Sequence, residues 1–386
     1  MNTQDSSTPA AGFGAEQPNQ VPPLLRLLFV FGLLYGFLVA IKMMGGGIAM
    51  LGKETSQGLF SGVSNPFAGL GLGVLATVLV QSSSTTTATI VGLVGSGVLT
   101  VKAAVPMIMG ANIGTTVTNT LVSIGHVRKS QEFERALAAA TVHDFFNLLC
   151  VALLLPLELM TGFLSNGATA LTDVLTVSAG TSYKSPIKKA VKYVFNGVVG
   201  ALESFGLSGT PLAVTVGLLG VALTFLCLVL ITRNMRVMIS TRLERVINNA
   251  LGKGGWIGIL IGVMVTVAVQ SSSITTSLLV PMCAAGVLTL ENAFPIMLGA
   301  NIGTTVTALL ASLAADSSAG LTIALVHTLF NLVGVLLFYP FPVVRRIPIR
   351  MARLLATKAC RQPLWLFAYV VVVFILIPLG GWLLLR

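Results

Sequence analysis

Long apolar stretches at 24–39, 98–124, 136–155, 211–231, 321–341 and 364–385 alternate with short polar segments along the chain. About 20 apolar residues in a helix suffice to cross a bilayer, so this rhythm predicts an all-α polytopic membrane protein. Two polar blocks interrupt the rhythm from within. Gln81-Ser82-Ser83-Ser84-Thr85-Thr86-Thr87 follows directly on the apolar run 74–80, and Gln270-Ser271-Ser272-Ser273-Ile274-Thr275-Thr276 follows on 261–269. Unpaired polar groups are expensive in hydrocarbon, so hydroxyls and amides this dense require a reason, and a binding site supplies one.

The two blocks belong to an internal repeat. At the same offset of 189, Gly110-Ala111-Asn112-Ile113-Gly114-Thr115-Thr116-Val117-Thr118 matches Gly299-Ala300-Asn301-Ile302-Gly303-Thr304-Thr305-Val306-Thr307, and Pro106 matches Pro295. Farther on, Val142-His143-Asp144-Phe145-Phe146-Asn147-Leu148 matches Val326-His327-Thr328-Leu329-Phe330-Asn331-Leu332 at an offset of 184. Each half reads as a spanning helix, a helix pair carrying the Gln-Ser-Ser-Ser block, a helix interrupted at Gly-Ala-Asn-Ile-Gly-Thr-Thr, and a helix opened by the His motif. If the helix pair is a re-entrant hairpin that enters and leaves by one face, each half keeps three true spans. An odd number inverts the second half. The expected architecture is therefore two inverted-topology repeats, each with a re-entrant helical hairpin and a broken transmembrane helix, as in many secondary transporters. The boundaries follow: a disordered polar tail at 1–22, repeat unit 1 at 23–160, an external connection at 161–210, repeat unit 2 at 211–342, and a basic linker with an extra C-terminal span at 343–386.

Composition narrows the class. Apolar residues make up 55% and charged residues only 9% of 386, against roughly 25% charged in soluble proteins, and mean hydropathy is +0.92. The first apolar segment lies too late and runs too long for a cleaved signal peptide. The net charge of +11 does not point to nucleic acid, because the basic residues cluster between apolar segments. Arg128, Lys129 and Arg135, then Arg233, Arg236, Arg242 and Arg245, then 345–361 mark the cytoplasmic side, with the N-terminus inside. Lys184, Lys188, Lys189 and Lys192 are the exception, in the external connection. Cys150, Cys227, Cys283 and Cys360 show neither disulfide nor metal spacing. There is no Walker sequence and no nucleophile elbow, so the energy must come from an ion gradient or from the substrate's own, and no enzyme is expected.

Chemistry is expected at four places. Gln81, Ser82, Ser83 and Ser84, with Gln270, Ser271, Ser272 and Ser273, offer hydroxyls, amides and helix N-terminal N–H groups to a phosphate or carboxylate without a counter-charge. Two facing copies would enclose one small anion; the alternative is Ser and Thr as packing residues between membrane helices. Asn112, Thr115, Thr116, Asn301, Thr304, Thr305 and Thr307, together with Thr85, add neutral oxygens that suit Na⁺, while Gly110 and Gly114 could instead form a close-packing face. Asp144 is the only acidic residue well inside a predicted span, and its repeat partner is Thr328, so an extra cation site is expected in the first half alone. Its alternative role is pairing with His143 or Arg135, or capping. His143 and His327 read mainly as structural donors, and Asn147 and Asn331 as ion ligands or braces.

These residues carry a family resemblance. The paired Gln-Ser-Ser-Ser and Gly-Ala-Asn-Ile-Gly-Thr-Thr blocks, with Ala140 to Asn147 followed by Leu154 to Glu158, resemble the type II sodium/phosphate cotransporters over residues 24–382. The resemblance implies import of phosphate, chiefly HPO₄²⁻, driven by Na⁺, with the two Gln-Ser-Ser-Ser blocks at the phosphate site and Na⁺ as the coupling ion. It also implies electrogenic transport, which goes with an Asp at the place of Asp144. The chain departs from the animal members by its short, cysteine-free external connection, by stopping after the seventh span, and by Lys129 where an acidic residue is proposed. These departures point to a short member of the bacterial inner membrane, and a homodimer with each protomer functional is compatible with it.

The function expected is thus a sodium-coupled phosphate symporter working by alternating access, with phosphate, Na⁺ and the lipid bilayer as partners and no organic cofactor. A carrier for sulfate, arsenate or a carboxylate is the alternative within transport. An anion channel and a non-transporting scaffold are the alternatives outside it.

Overall fold

The computed structural model describes residues 22–52, 63, 65–125, 130–178, 186–250 and 255–385. The polar tail expected at 1–22 lies almost wholly outside the described residues, as do Arg128, Lys129 and Lys184. Every regular element among the described residues is helical. The first half contains α1 (Pro23–Met50), α2 (Pro66–Val80), α3 (Ser83–Gly95), α4 (Val101–Gly114), α5 (Val117–Ile124) and α6 (Ser130–Thr161). Two further helices, α7 (Phe163–Ser178) and α8 (Pro186–Ser204), occupy the expected connection. The second half contains α9 (Gly209–Ala250), α10 (Gly255–Val269), α11 (Ser272–Ala284), α12 (Leu290–Ser312) and α13 (Ser318–Phe338). The basic helix α14 (Pro342–Arg361) then leads to the last segment, α15 (Leu364–Val371), a π-helical turn (Val372–Leu376) and α16 (Ile377–Leu385).

Among the described residues, six helical stretches are long and apolar enough to cross a membrane: 24–50, 130–161, 209–236, 290–312, 318–338 and 364–385. The expected span at 98–124 is missing from this set because it is divided into α4 and α5. The break falls at Thr115 and Thr116, where Thr116 takes φ −90° and ψ −13°. The expected break in the second copy does not occur: α12 runs continuously through Asn301-Ile302-Gly303-Thr304-Thr305. The difference has a local correlate. Thr116 lies beside the carboxylate of Asp144, whereas in the second half the counterpart of Asp144 is Thr328, whose hydroxyl turns back to Ala324 O at 3.0 Å.

Glycine sets the closest packing, and does so twice. A Cβ at Gly110 would run into the Leu70 carbonyl of α2, and one at Gly73 into the Met107 carbonyl of α4. At an offset of 189 the same collisions recur between Gly299 and Ile259 O and between Gly262 and Ile296 O. Gly114 and Gly303 each bring a Cβ position within 2.7 Å of a threonine Cβ, Thr77 and Thr266. Small residues here let backbones touch, which gives membrane helices dispersion contacts that lipid cannot match. The glycines of the Gly-Ala-Asn-Ile-Gly-Thr-Thr motif therefore serve packing, and a break is added in one copy only.

The halves pack crosswise. α3 lies against α12 and α13 of the second half, and α11 lies against α5 and α6 of the first. α1 and α9, the long first helices of each half, run against each other. Between them, a Cβ at Gly220 would strike the backbone of Met44.

Replacing Gly299 by Val should force apart α10 and α12, at a cost of about 1–3 kcal/mol or more from overpacking. The thermal unfolding midpoint of the detergent-purified protein should fall clearly, while Gly32→Ala, with open space around its Cβ position, should leave it unchanged. Equal midpoints for the two variants would contradict the close-contact assignment.

Candidate functional site

Each polar block begins with a glutamine in the left-handed region. Gln81 has φ 56° and Gln270 φ 57°, the only non-glycine residues with positive φ among those described. Such a backbone is uncommon for a side-chain-bearing residue and costs of order 1–3 kcal/mol. Both turns are stabilised in the same way. The Gln81 amide donates to Val78 O at 2.5 Å, and its Oε1 accepts from Thr118 Oγ1 at 2.9 Å. Gln270 repeats this with Val267 O at 2.7 Å and Thr307 Oγ1 at 3.0 Å. The turn ends α2 and α10, and new helices start two residues later, at Ser83 and Ser272.

Ser82 and Ser271 are the N-caps of α3 and α11, accepting from Thr85 N at 3.2 Å and Ile274 N at 3.4 Å. A serine cap satisfies one of the free N–H groups at a helix start and leaves others available. Ser83, Ser84 and Ser272 are buried and Ser273 is half-buried. Thr85, which shares a 2.9 Å contact with the Ser82 hydroxyl, is buried with Thr86 and Thr87. Two buried helix N-termini with hydroxyls and no acidic residue in the first turn form a pair of anion-compatible ends.

The amides of the expected Na⁺ set engage one another. Asn147 Nδ2 donates to Asn112 O at 2.8 Å, and Asn301 Nδ2 donates to Asn147 Oδ1 at 2.8 Å. Asn331 Nδ2 reaches Asn112 Oδ1 at 3.3 Å and its own His327 O at 3.0 Å. His143 Nε2 meets Asn301 Oδ1 at 2.5 Å. Asn112, Asn147 and His143 come from the first half and Asn301 and Asn331 from the second, so this fully buried lattice ties the halves together. Thr115 and Thr304 both turn their hydroxyl protons to the carbonyl four residues back, Ala111 O and Ala300 O at 3.0 Å. Thr116 and Thr305 turn theirs three back, to Ile113 O and Ile302 O. All four keep oxygen lone pairs for a cation.

Asp144 is fully buried on α6, next to this lattice in sequence. Its Oδ2 accepts from Tyr369 Oη of α15 at 2.9 Å, and its Oδ1 has no hydrogen-bond partner. The pairing with Arg135 weighed from sequence is absent, because Arg135 Nε donates to Ala284 O of α11 at 2.9 Å. Glu158, the other buried acid of α6, accepts from Leu164 N and Ser165 N and so anchors the start of α7.

The far ends of α3 and α11 differ. Around the end of α11, Glu134, Arg135, Cys283, Glu291, Arg353 and Thr357 border a cavity of about 450 Å³. Around the end of α3, Lys42 Nζ grips Asp316 at 2.5 Å and 2.6 Å and the remaining crevice is about 10 Å³. Ser317 closes the same end by donating from N and Oγ to Gly95 O, at 3.1 Å and 2.9 Å. Among the described residues no cluster of His, Cys, Asp and Glu could hold a transition metal.

With this geometry in place, the family model described as Na⁺/Pi-cotransporter matches residues 37–155 and 223–342. The chain belongs to that family. Sodium-dependent phosphate transport protein 2A of Rattus norvegicus is 34% identical over 437 residues, covering 93% of this chain and 68% of the relative. Sodium-dependent phosphate transport protein 2B of Homo sapiens is 35% identical over 446 residues, covering 92% of this chain and 64% of the relative. The 2A protein of Ovis aries is 32% identical, with 98% of this chain and 72% of the relative covered. The chain thus spans about two thirds of the length of these relatives. No solved structure matches it.

Three functional candidates of this Na⁺/Pi-cotransporter family member escaped the sequence reading. Thr118 carries the same offset as Thr307 and was legible from the repeat. Asn119 Oδ1 accepts from Thr276 and Ser277 of α11, both at 3.0 Å, and its Nδ2 is buried without a partner. Its repeat partner is Ala308, so the repeat gave no sign of it. Tyr369 lies outside the repeat altogether.

Asn147→Ala should leave the buried Asn301 amide N–H without the oxygen to which it donates, at about 1–3 kcal/mol. Thermal unfolding of the purified variant should shift down, with Thr328→Ala, which loses a bond within its own helix, shifting much less. Indistinguishable midpoints would remove the bracing role.

Proposed function

We propose that this chain is a sodium-coupled symporter that imports inorganic phosphate by alternating access. The observation that carries it is the pair of left-handed glutamine turns, each opening a buried, serine-capped helix N-terminus, in a family whose relatives are named sodium-dependent phosphate transport proteins. Gln81, Ser82, Ser83, Ser84, Gln270, Ser271, Ser272 and Ser273 take phosphate as HPO₄²⁻. Thr85, Asn112, Thr115, Thr116, Asp144, Asn147, Asn301, Thr304, Thr305 and Thr307 provide the Na⁺ oxygens. A dianion without fixed counter-charges crosses low dielectric only when cations travel with it.

The two halves are inverted repeats, 23–160 and 211–342, and each hairpin is re-entrant. The crosswise packing of α3 and α11 on the opposite halves supports this reading, as do the twin glycine contacts and hairpin helices of only 13 to 15 residues. Alternating access is supported by the unequal ends of α3 and α11: the Lys42–Asp316 contact seals one while the other opens into the larger cavity. The basic helix α14 borders that cavity, so by the positive-inside rule it faces the cytoplasm, and the N-terminus lies on the same side.

A fully loaded complex carrying net positive charge would be drawn inward by about 2.3 kcal/mol per charge for each 100 mV. In proteoliposomes with an imposed potential, Asp144→Gly should abolish phosphate-evoked current while leaving part of the labelled phosphate uptake. Unchanged current would remove the role given to Asp144. Sulfate or a carboxylate competing as well as unlabelled phosphate would overturn the choice of substrate.

A further inference from the structure

The duplicated halves leave Asp144 without a charged counterpart, and the structure brings a side chain from outside both halves to it. The last segment, 364–385, looks at first like a lipid-facing addition: Leu364, Phe367, Ile377 and Leu384 are all largely exposed. Within it Tyr369 is the one hydroxyl-bearing residue. That hydroxyl points inward and donates to Asp144 Oδ2 at 2.9 Å.

The ring that carries it is fixed from two sides. Phe145, the neighbour of Asp144 on α6, lies 5.6 Å from Tyr369 between centroids, and Phe374 meets it edge-on at 5.8 Å. Phe374 is fully buried and sits in the π-helical turn Val372–Leu376. A π-helical turn is rare, and such turns are frequent at functional sites. Meanwhile Asp144 Oδ1 is buried with no partner. A carboxylate inside a membrane with one oxygen held and the other bare has a place for a cation.

We infer that Tyr369 is a positioning residue for Na⁺ at Asp144. Its hydroxyl holds Oδ2, which turns Oδ1 toward the ion beside Thr116. This rests on the reading of Asp144 as a cation residue and adds that the site is composite. Asp144 alone does not make the first half different; Asp144 and the added helix do so together. The second half has Thr328 at the matching position, turned to its own helix.

Tyr369→Phe removes the hydroxyl and keeps the ring. The full chain, purified and reconstituted, is assayed for labelled phosphate uptake against Na⁺ concentration at saturating phosphate. The half-saturating Na⁺ concentration should rise about tenfold or more, as expected for losing one hydrogen bond to a charged group. Uptake at saturating Na⁺ and the KM for phosphate measured there should stay within about twofold of wild type. Na⁺-dependent protection of the detergent-purified protein against thermal unfolding should shift by the same factor, without requiring transport. A Na⁺ dependence equal to or steeper in affinity than wild type overturns the proposal. So does loss of folded protein at every Na⁺ concentration, since a positioning role predicts a fold that survives. The parent reading fails differently: wild-type uptake that ignores Na⁺ defeats symport, and Asp144→Gly with wild-type Na⁺ dependence defeats the role of Asp144 itself.

Discussion

A polar side chain buried in a membrane protein has no water to fall back on, so its partner must come from the protein. In this chain the partner repeatedly comes from the other half. Asn301 donates to Asn147, Asn331 donates to Asn112, His143 Nε2 meets Asn301, and Thr276 and Ser277 donate to Asn119. Alone, the second half would leave the Asn301 Nδ2 group without the Asn147 oxygen to which it donates. The cross-linked lattice therefore accounts for how a duplicated sequence forms one unit, with α3 and α11 each seated on the opposite half.

The same constraint explains why the halves differ. Where their polar residues match, as at Gln81 and Gln270 or Thr118 and Thr307, the geometry repeats closely. Where they do not, the structure diverges. Asp144 stands beside the broken α4–α5 helix and takes Tyr369 from a segment added after the repeats, while Thr328 accompanies an unbroken α12. Asn119 replaces the apolar choice of Ala308 and reaches the second polar block. A symmetric scaffold holds the anion-compatible ends, and its departures from symmetry gather around a single acid.

Much of this was legible in the chain itself. The alternation of apolar runs identified the membrane class, and the constant offset between motifs anticipated the twin turns, twin serine caps and twin glycine contacts. Tertiary pairing was less accessible. Asn112 and Asn301 read as Na⁺ ligands and Asn147 and Asn331 as ligands or braces, because sequence lists donors and acceptors without saying which find each other; the structure pairs them with one another, within the first half and across the halves. The break expected in both copies of Gly-Ala-Asn-Ile-Gly-Thr-Thr appears in one, since glycine permits a break and only the neighbourhood of Asp144 accompanies it. Tyr369 lay more than 200 residues from its partner, in a helix without a repeat to compare.

In the function proposed, both halves build one phosphate site that depends on Na⁺. Equilibrium titration of phosphate into the detergent-purified chain tests it most directly, in Na⁺ and in a large organic cation. A single phosphate bound per chain, only in Na⁺, and lost on either Ser84→Ala or Ser273→Ala, is the predicted result. Two phosphates per chain, or binding that persists without Na⁺, would contradict it.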